Sequence, residues 1–355
     1  MSADPTGAGA GAITSRSDPG KPSPSGMRRR EFISLIGGAA VAWPFVVRAQ
    51  PPDGIRRIGV LMGIGDADPE ANPRVEALQG GLKDLGWTEG HNIHLEYRWT
   101  AGDFDRTSRF AKEIVDLKPD VIVVHSTPAV EALRQLTSNT PMVFVLIADP
   151  IGSGFVASLA HPGGNLTGFM NVDAPMAGKW VEIIKEVAPK VRRIALVYNP
   201  RTSPYQSYLK SFDETAQVSG VQAIPTPVLD AADIKRSITA LGKRPDAALF
   251  VVPDVFVQVH RKLIISLAEQ YRLPAIYPYR FFPESGGLMS YGIDTVGIFR
   301  QAASYVDRIL KGTPPTDLPV QAPTTIRLVI NLKAAKAIGL TFPASFLARA
   351  DQVIE

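Results

Sequence analysis

Several residues able to grip a charged solute stand just past short apolar runs. Ser126 and Thr127 precede Pro128, a residue suited to the first turn of a helix. Their hydroxyls, together with the free N–H groups of a helix start, suit a carboxylate. Ser203 before Pro204 repeats this arrangement, with Asn199 shortly ahead of it. Asp149 and Asp254 each follow an apolar run. Either offers a counter-charge to an ammonium group, or serves as an ordinary turn or cap residue. Tyr205, Phe256, Tyr277, Tyr279 and Tyr291 supply flat apolar faces, the tyrosines with a polar tip. The candidate binding set is therefore Ser126, Thr127, Asp149, Asn199, Ser203, Tyr205, Asp254, Tyr277 and Tyr291.

No reactive constellation accompanies these residues. The chain has no cysteine, which excludes disulfides, thiol nucleophiles and thiolate-held metals. His91 and His94 are three apart near a strand start and face opposite sides, so they cannot share a metal. His125, His161 and His260 are scattered, although His125 lies beyond a strand end, where a solute could touch it. Gly152-x-Gly154-x-x-Ala157 has the spacing of a dinucleotide fingerprint, but Asp149-Pro150 separates it from the preceding run and it does not form the first turn of the fold. No nucleophile elbow, phosphate-binding loop or paired-histidine zinc motif is present. These residues read as binding without catalysis, with no cofactor and no metal.

Strands and helices alternate around them. Ile58–Met62, Ile93–Trp99, Val121–Val124 and Val143–Ile147 read as strands, three of them wholly apolar. Helical spacing covers Pro73–Leu85 through Val75, Leu78 and Leu82, then Arg106–Leu117 and Pro128–Leu136, with a short helix at Phe155–Leu159. The pattern restarts with strands at Ile194–Tyr198, Leu249–Val252 and Ala275–Ile276 and helices at Pro204–Val218, Ile234–Leu241 and Val259–Tyr271. Arg56-Arg57-Ile58 recurs as Arg192-Arg193-Ile194, and Lys118-Pro119-Asp120 as Arg244-Pro245-Asp246. Beyond Leu288–Tyr291 come a long helix, Val296–Leu310, a Pro-rich stretch, Pro314–Pro323, a strand, Ile326–Ile330, and a helix, Leu332–Ile338. The fold class is α/β: two similar doubly wound parallel-sheet lobes joined by a three-segment hinge. Lobe 1 comprises 55–172 plus 288–320, and lobe 2 comprises 173–287 plus 321–355. The crossings fall near Gly168–Asp173, Tyr291–Asp294 and Leu318–Thr324. In open sheets of this kind, ligands lie beyond the carboxyl ends of the strands, where the candidate residues stand.

The 355 residues carry a formal charge of +4. Six of the 38 basic and three of the 34 acidic residues fall within 1–49, which leaves +1 for the rest. No field for nucleic acid is implied. Residues 1–26 are rich in Gly, Ala, Ser and Pro and read as a disordered extension upstream of a start at Met27. Residues 27–49 read as a signal peptide. Arg28-Arg29-Arg30 precedes an apolar stretch, Ile33–Val47, too short to span a bilayer, and Val47-Arg48-Ala49 places small residues before a cleavage point at Gln50. Arg29-Arg30 with Phe32-Ile33 fits the twin-arginine form, and general export is the alternative. The mature chain is expected in the periplasm, without membrane insertion.

Longer stretches carry a family resemblance. They are Leu85–Asn92, Leu117–Val124, Asp149–Leu159, Pro162–Gly168, Gly286–Tyr291, Tyr305–Thr313, Val329–Gly339 and Leu347–Glu355. Together they resemble the ABC-transporter substrate-binding family that includes tryptophan- and tyrosine-binding proteins, from about Arg57 to the C-terminus. The resemblance implies a type I periplasmic-binding fold, a small-molecule ligand held between the lobes, an ABC permease as partner and no chemistry. A periplasmic sensor that presents its solute to a membrane receptor would use the same clamp.

Overall fold

The computed structural model describes residues 54–355. The expected extension (1–26) and signal peptide (27–49) lie outside the described residues. The first lobe runs β1 (Arg56–Met62), α1 (Ala71–Asp84), β2 (Ile93–Trp99), α2 (Phe104–Asp116), β3 (Val121–His125), α3 (Thr127–Arg134), β4 (Met142–Ile147) and β5 (Leu166–Met170). These strands form a parallel five-stranded sheet in the order β2-β1-β3-β4-β5. β3 and β4 are buried throughout, as expected of strands covered on both faces.

The second lobe begins with α4 (Met176–Val187) and β6 (Arg193–Tyr198). There follow α5 (Tyr205–Val218), β7 (Gln222–Pro227), α6 (Ala231–Gly242), β8 (Ala247–Val251), α7 (Val255–Val259), α8 (Arg261–Gln270), β9 (Ala275–Tyr277), α9 (Phe281–Glu284) and β10 (Met289–Ile293). α10 (Thr295–Leu310) crosses back and packs on α1 and on β3, β4 and β5. The chain then completes the second sheet with β11 (Ile326–Asn331), α11 (Leu332–Ile338), α12 (Ala344–Leu347) and β12 (Gln352–Ile354). This sheet has seven strands in the order β12-β11-β10-β9-β8-β6-β7.

Several elements differ from the sequence reading. The second sheet is not purely parallel, because β11 runs antiparallel to β10. β10 is a strand of that sheet, so the chain changes lobes at Asp294 rather than at 288. Phe155–Leu159 is a run of bends that follows a turn at 151–154, rather than a helix. The Pro150 carbonyl there accepts from the N–H groups of both Phe155 and Val156, and Gly154 adopts φ +66°, which ends helical progress. The helix expected at Val259–Tyr271 divides at His260 into α7 and α8. α4 escaped the periodicity search although Ala177, Trp180, Val181, Ile184 and Val187 form its buried face. β7 was masked by Pro225 and Pro227; it is an edge strand, bonded to β6 alone, where prolines are tolerated.

Each lobe has a definite anchor. In the second, Trp180 stacks on Phe250 at 4.3 Å and donates its indole N–H to the Tyr291 carbonyl at 2.7 Å. In the first, the Trp87 indole donates to Asp307 of α10 at 2.8 Å, and Gly81 lets α1 approach the Arg300 carbonyl. No helix among the described residues is long and apolar enough to cross a membrane. Gly292 in β10 lies so close to the Pro278 carbonyl that a Cβ would overlap it. Gly292→Ala should therefore lower stability by about 1–3 kcal/mol in urea denaturation; wild-type stability would show that the strand has room there.

Candidate functional site

Among the described residues, three of the six non-glycine residues with left-handed backbone gather at the carboxyl ends of β3 and β4. They are Ser126 (φ +96°), Leu146 (φ +61°) and Asp149 (φ +42°). Backbone strain of this kind costs roughly 1–3 kcal/mol and persists only where surrounding structure enforces it. The rim it shapes faces a narrow cavity between the lobes. His125, Ser126, Thr127 and Asn171 line it from the first lobe, and Thr202, Asp254, Gln258 and Tyr279 from the second. A larger hollow lies beside the crossings, at the ends of β5 and β10, among Phe169, Asp294, Ile298 and Gln321. Its one carboxylate, Asp294, caps α10.

Of the nine candidate residues, Ser126, Thr127 and Asp254 line the cavity. Ser126 and Thr127 open α3, with Pro128 in its first turn. Asp254 caps α7, accepting from the N–H groups of Phe256 and Val257, while Thr202 Oγ1 donates to its other oxygen at 2.9 Å. Burial pushes this carboxyl up to about 6, although Thr202 and the Val257, Phe256 and Asn199 N–H groups all stabilise its charge.

The other six do not line the cavity. Asp149 folds its carboxylate back onto the Gly152 N–H at 2.8 Å, the turn role of a short acidic side chain. Asn199 shapes its own loop, its side-chain oxygen accepting from the Arg201 N–H at 2.8 Å. Ser203 is buried beside it with its hydroxyl unpartnered. Tyr205 stacks on Tyr198 at 4.4 Å. Tyr277 is buried against Phe282 at 4.6 Å, its hydroxyl also unpartnered. Tyr291 is held within β10.

Sequence reasoning missed the charged group that joins the lobes. Arg261 of α8 makes two bonds to Asp68, at 2.8 and 3.0 Å, with side-chain exposures of 6% and 10%. Arg74 of α1 is wholly buried, 3.7 Å from Glu70 and 3.4 Å from Gln258 Oε1 of the second lobe. Its guanidinium also faces the rings of Phe281 and Phe299 at 6.0 and 5.7 Å. Burial lowers the Arg74 pKa. His125 Nδ1 accepts from the Gly63 N–H at 3.2 Å, which leaves the ring proton on Nε2, facing Arg74 at 3.5 Å. Burial first, and Arg74 second, hold His125 well below its ordinary pKa, so the ring is neutral.

One signal for Arg74 was available. It falls with Ala71, Leu78 and Leu82 on the buried face of α1, where the apolar reading had placed Val75. At the hinge, Asn171 donates to the Tyr279 hydroxyl at 2.5 Å. Asp68→Asn removes the counter-charge of a nearly buried arginine and should cost the closed arrangement on the order of 3 kcal/mol. Small-angle scattering of the unliganded variant should then show a larger radius of gyration than wild type. Equal radii would mean that this pair does not hold the lobes together.

Two lobes around a strand-end cleft define a solute-binding protein with the type I periplasmic-binding fold. The chain belongs to the ABC transporter substrate binding protein family, whose model matches residues 64–354. A tyrosine-binding protein of Clostridioides difficile is 25% identical over 284 residues, spanning 78% of this chain and 81% of that one. Among solved structures, an ABC domain from Streptococcus pneumoniae in complex with L-Trp matches with TM-score 0.79 at 28% identity, covering 85% of this chain and 100% of the other. A conserved domain protein from Vibrio cholerae matches with TM-score 0.78 at 31% identity, over 84% and 99% of the respective chains. The family is one of solute-binding proteins that work with ABC permeases, not of enzymes.

Proposed function

We propose that this protein captures an amino acid in the periplasm and delivers it to an ABC importer. One observation carries the reading: the cavity sets hydroxyl and helix-start donors, Ser126 and Thr127, opposite a buried carboxylate, Asp254. An amino acid brings a carboxylate for the first and an ammonium for the second. Both charges must be satisfied once the lobes exclude water, since an unpaired buried charge is costly. The tyrosine- and tryptophan-binding relatives support the same class of solute. Tyr279, which lines the cavity, offers a ring for an aromatic or apolar side chain.

Titration calorimetry with L-tyrosine, L-tryptophan and the other L-amino acids tests this. Asp254→Asn keeps a capping side chain but loses the charge, and should weaken binding by roughly 30- to 5,000-fold. Binding at wild-type affinity would exclude an ammonium at Asp254.

The raised Asp254 pKa adds a pH signature. Folding lifts this group from 3.8 to about 6, so between those values the folded form holds more protons than the unfolded one. For the free protein, this contribution to stability grows as pH falls through about 6 and is complete below 3.8. An ammonium ligand prefers the ionised carboxylate, so its affinity should be full well above pH 6. It should fall up to about tenfold per pH unit below that value, with proton release on binding near pH 6. Calorimetry in buffers of different ionisation enthalpy measures this directly, and a flat profile would exclude the pairing.

The periplasmic part of the reading rests on the leader, Arg29-Arg30 followed by Ile33–Val47 and Ala49. Replacing both arginines with lysine should leave the precursor uncleaved in the cytoplasm. Normal processing of that variant would point to general export.

A further inference from the structure

We propose that Gln258 is a solute-contacting residue and that Arg74 positions it, so that the cleft selects for a carboxylate through both lobes. The proposal rests on the solute-binding reading above and names a recognition group for it. Gln258 is 2% exposed and lines the cavity from α7. A side-chain amide has one accepting and one donating end. Arg74 Nη2 donates to Gln258 Oε1 at 3.4 Å, and a guanidinium has no acceptor, so the NH2 end must point away from it. That Nε2 is buried and has no partner among the described residues.

A buried donor left without a partner is costly, and an acceptor on the solute removes that cost. Ser126 and Thr127 bring hydroxyl donors and the start of α3 to the same cavity. Their side faces Gln258 across the cleft, so one carboxylate could take donors from both lobes only when these are together. Arg74 does not line the cavity and is itself incompletely satisfied, with Nε unpartnered. Its place is behind the wall, with His125 on one side and Gln258 on the other. The neutral His125 ring presents Nε2–H to Arg74 and cannot accept from it, which leaves the Gln258 oxygen as the acceptor Arg74 reaches across the cleft.

The test uses acid and amide forms of the same probe: L-tryptophan against L-tryptophanamide, with indole-3-propionate as an acid lacking the ammonium. Gln258→Glu places a carboxylate beside Arg74, which keeps that contact but turns the donor into an acceptor. Its affinity for L-tryptophan should fall at least about 30-fold while the amide is retained or gains, reversing the wild-type preference. Gln258→Met keeps the shape without the donor and should lose about tenfold for the acid only. Arg74→Lys keeps the charge but loses the planar fork; it should narrow the acid-over-amide preference, as an altered packing contact alone would not.

Unchanged acid-over-amide preference in Gln258→Glu and Gln258→Met, both folded by thermal unfolding, would overturn the contact. Unchanged preference in Arg74→Lys would overturn the positioning role. If wild type binds indole-3-propionate but not L-tryptophan, the amino-acid reading fails, and loss of indole-3-propionate binding in Gln258→Glu still upholds the carboxylate contact. Wild type binding the amide as tightly as the acid overturns the proposal and the carboxylate part of the amino-acid reading, leaving only the ammonium at Asp254.

Discussion

A guanidinium buried without water must find its partners among whatever surrounds it, and here those partners belong to two lobes. Arg74 rises from the first lobe, yet Gln258 and Phe281 of the second meet it. Arg261 rises from the second lobe and ends on Asp68 of the first. The two cations and the two anions, Asp68 and Glu70, balance only as a group that spans the cleft. Separating the lobes would return all four to solvent, where ion pairs are worth little. The closed arrangement of the cavity between the lobes depends on this group remaining together.

The cleft floor reflects the same constraint from the backbone. Ser126, Leu146 and Asp149 are each held in a conformation that their side chains disfavour. At Gly63, an added Cβ would press on Ser126, so the ends of β1 and β3 lie close together. The strained turns thus lie at the carboxyl ends of the first sheet's strands, and His125 at the end of β3 meets the buried Arg74 there. Asp254 shows the counterpart in the second lobe. Its carboxylate already receives donors from Thr202 and from the start of α7, and it remains hard to ionise because burial penalises its charge.

Much of this architecture was legible in the sequence. Wholly apolar runs such as Val121–Val124 and Leu249–Val252 admit little but buried parallel strands, and the restart at Arg192-Arg193-Ile194 marked the second lobe. The reading faltered where local pattern and tertiary role part company. β7 carries two prolines and survives because it is an edge. Asp149 looked like Asp254 in sequence, but a tight turn turned its carboxylate back on the chain. Tyr277 and Tyr291 stood at plausible strand ends and were claimed by the core and by the sheet. Arg74 was passed over because a helical stripe is read for apolar residues, and a charge within it registers as an interruption. Its meaning comes from Gln258, which is 184 residues distant in sequence.

The order in which the elements complete each lobe bears on how the chain is made. The first sheet is finished by residue 170, but the helix α10 that packs on it is Thr295–Leu310. The second sheet awaits β11 and β12, the latter ending at Ile354. A ribosome that has synthesised the first half has therefore released a sheet with one face covered by α1 but not yet by α10. Neither lobe can close its core before nearly the whole polypeptide has emerged, so the two lobes must mature together rather than one after the other. Chaperones would meet an exposed apolar surface until the last strand is in place.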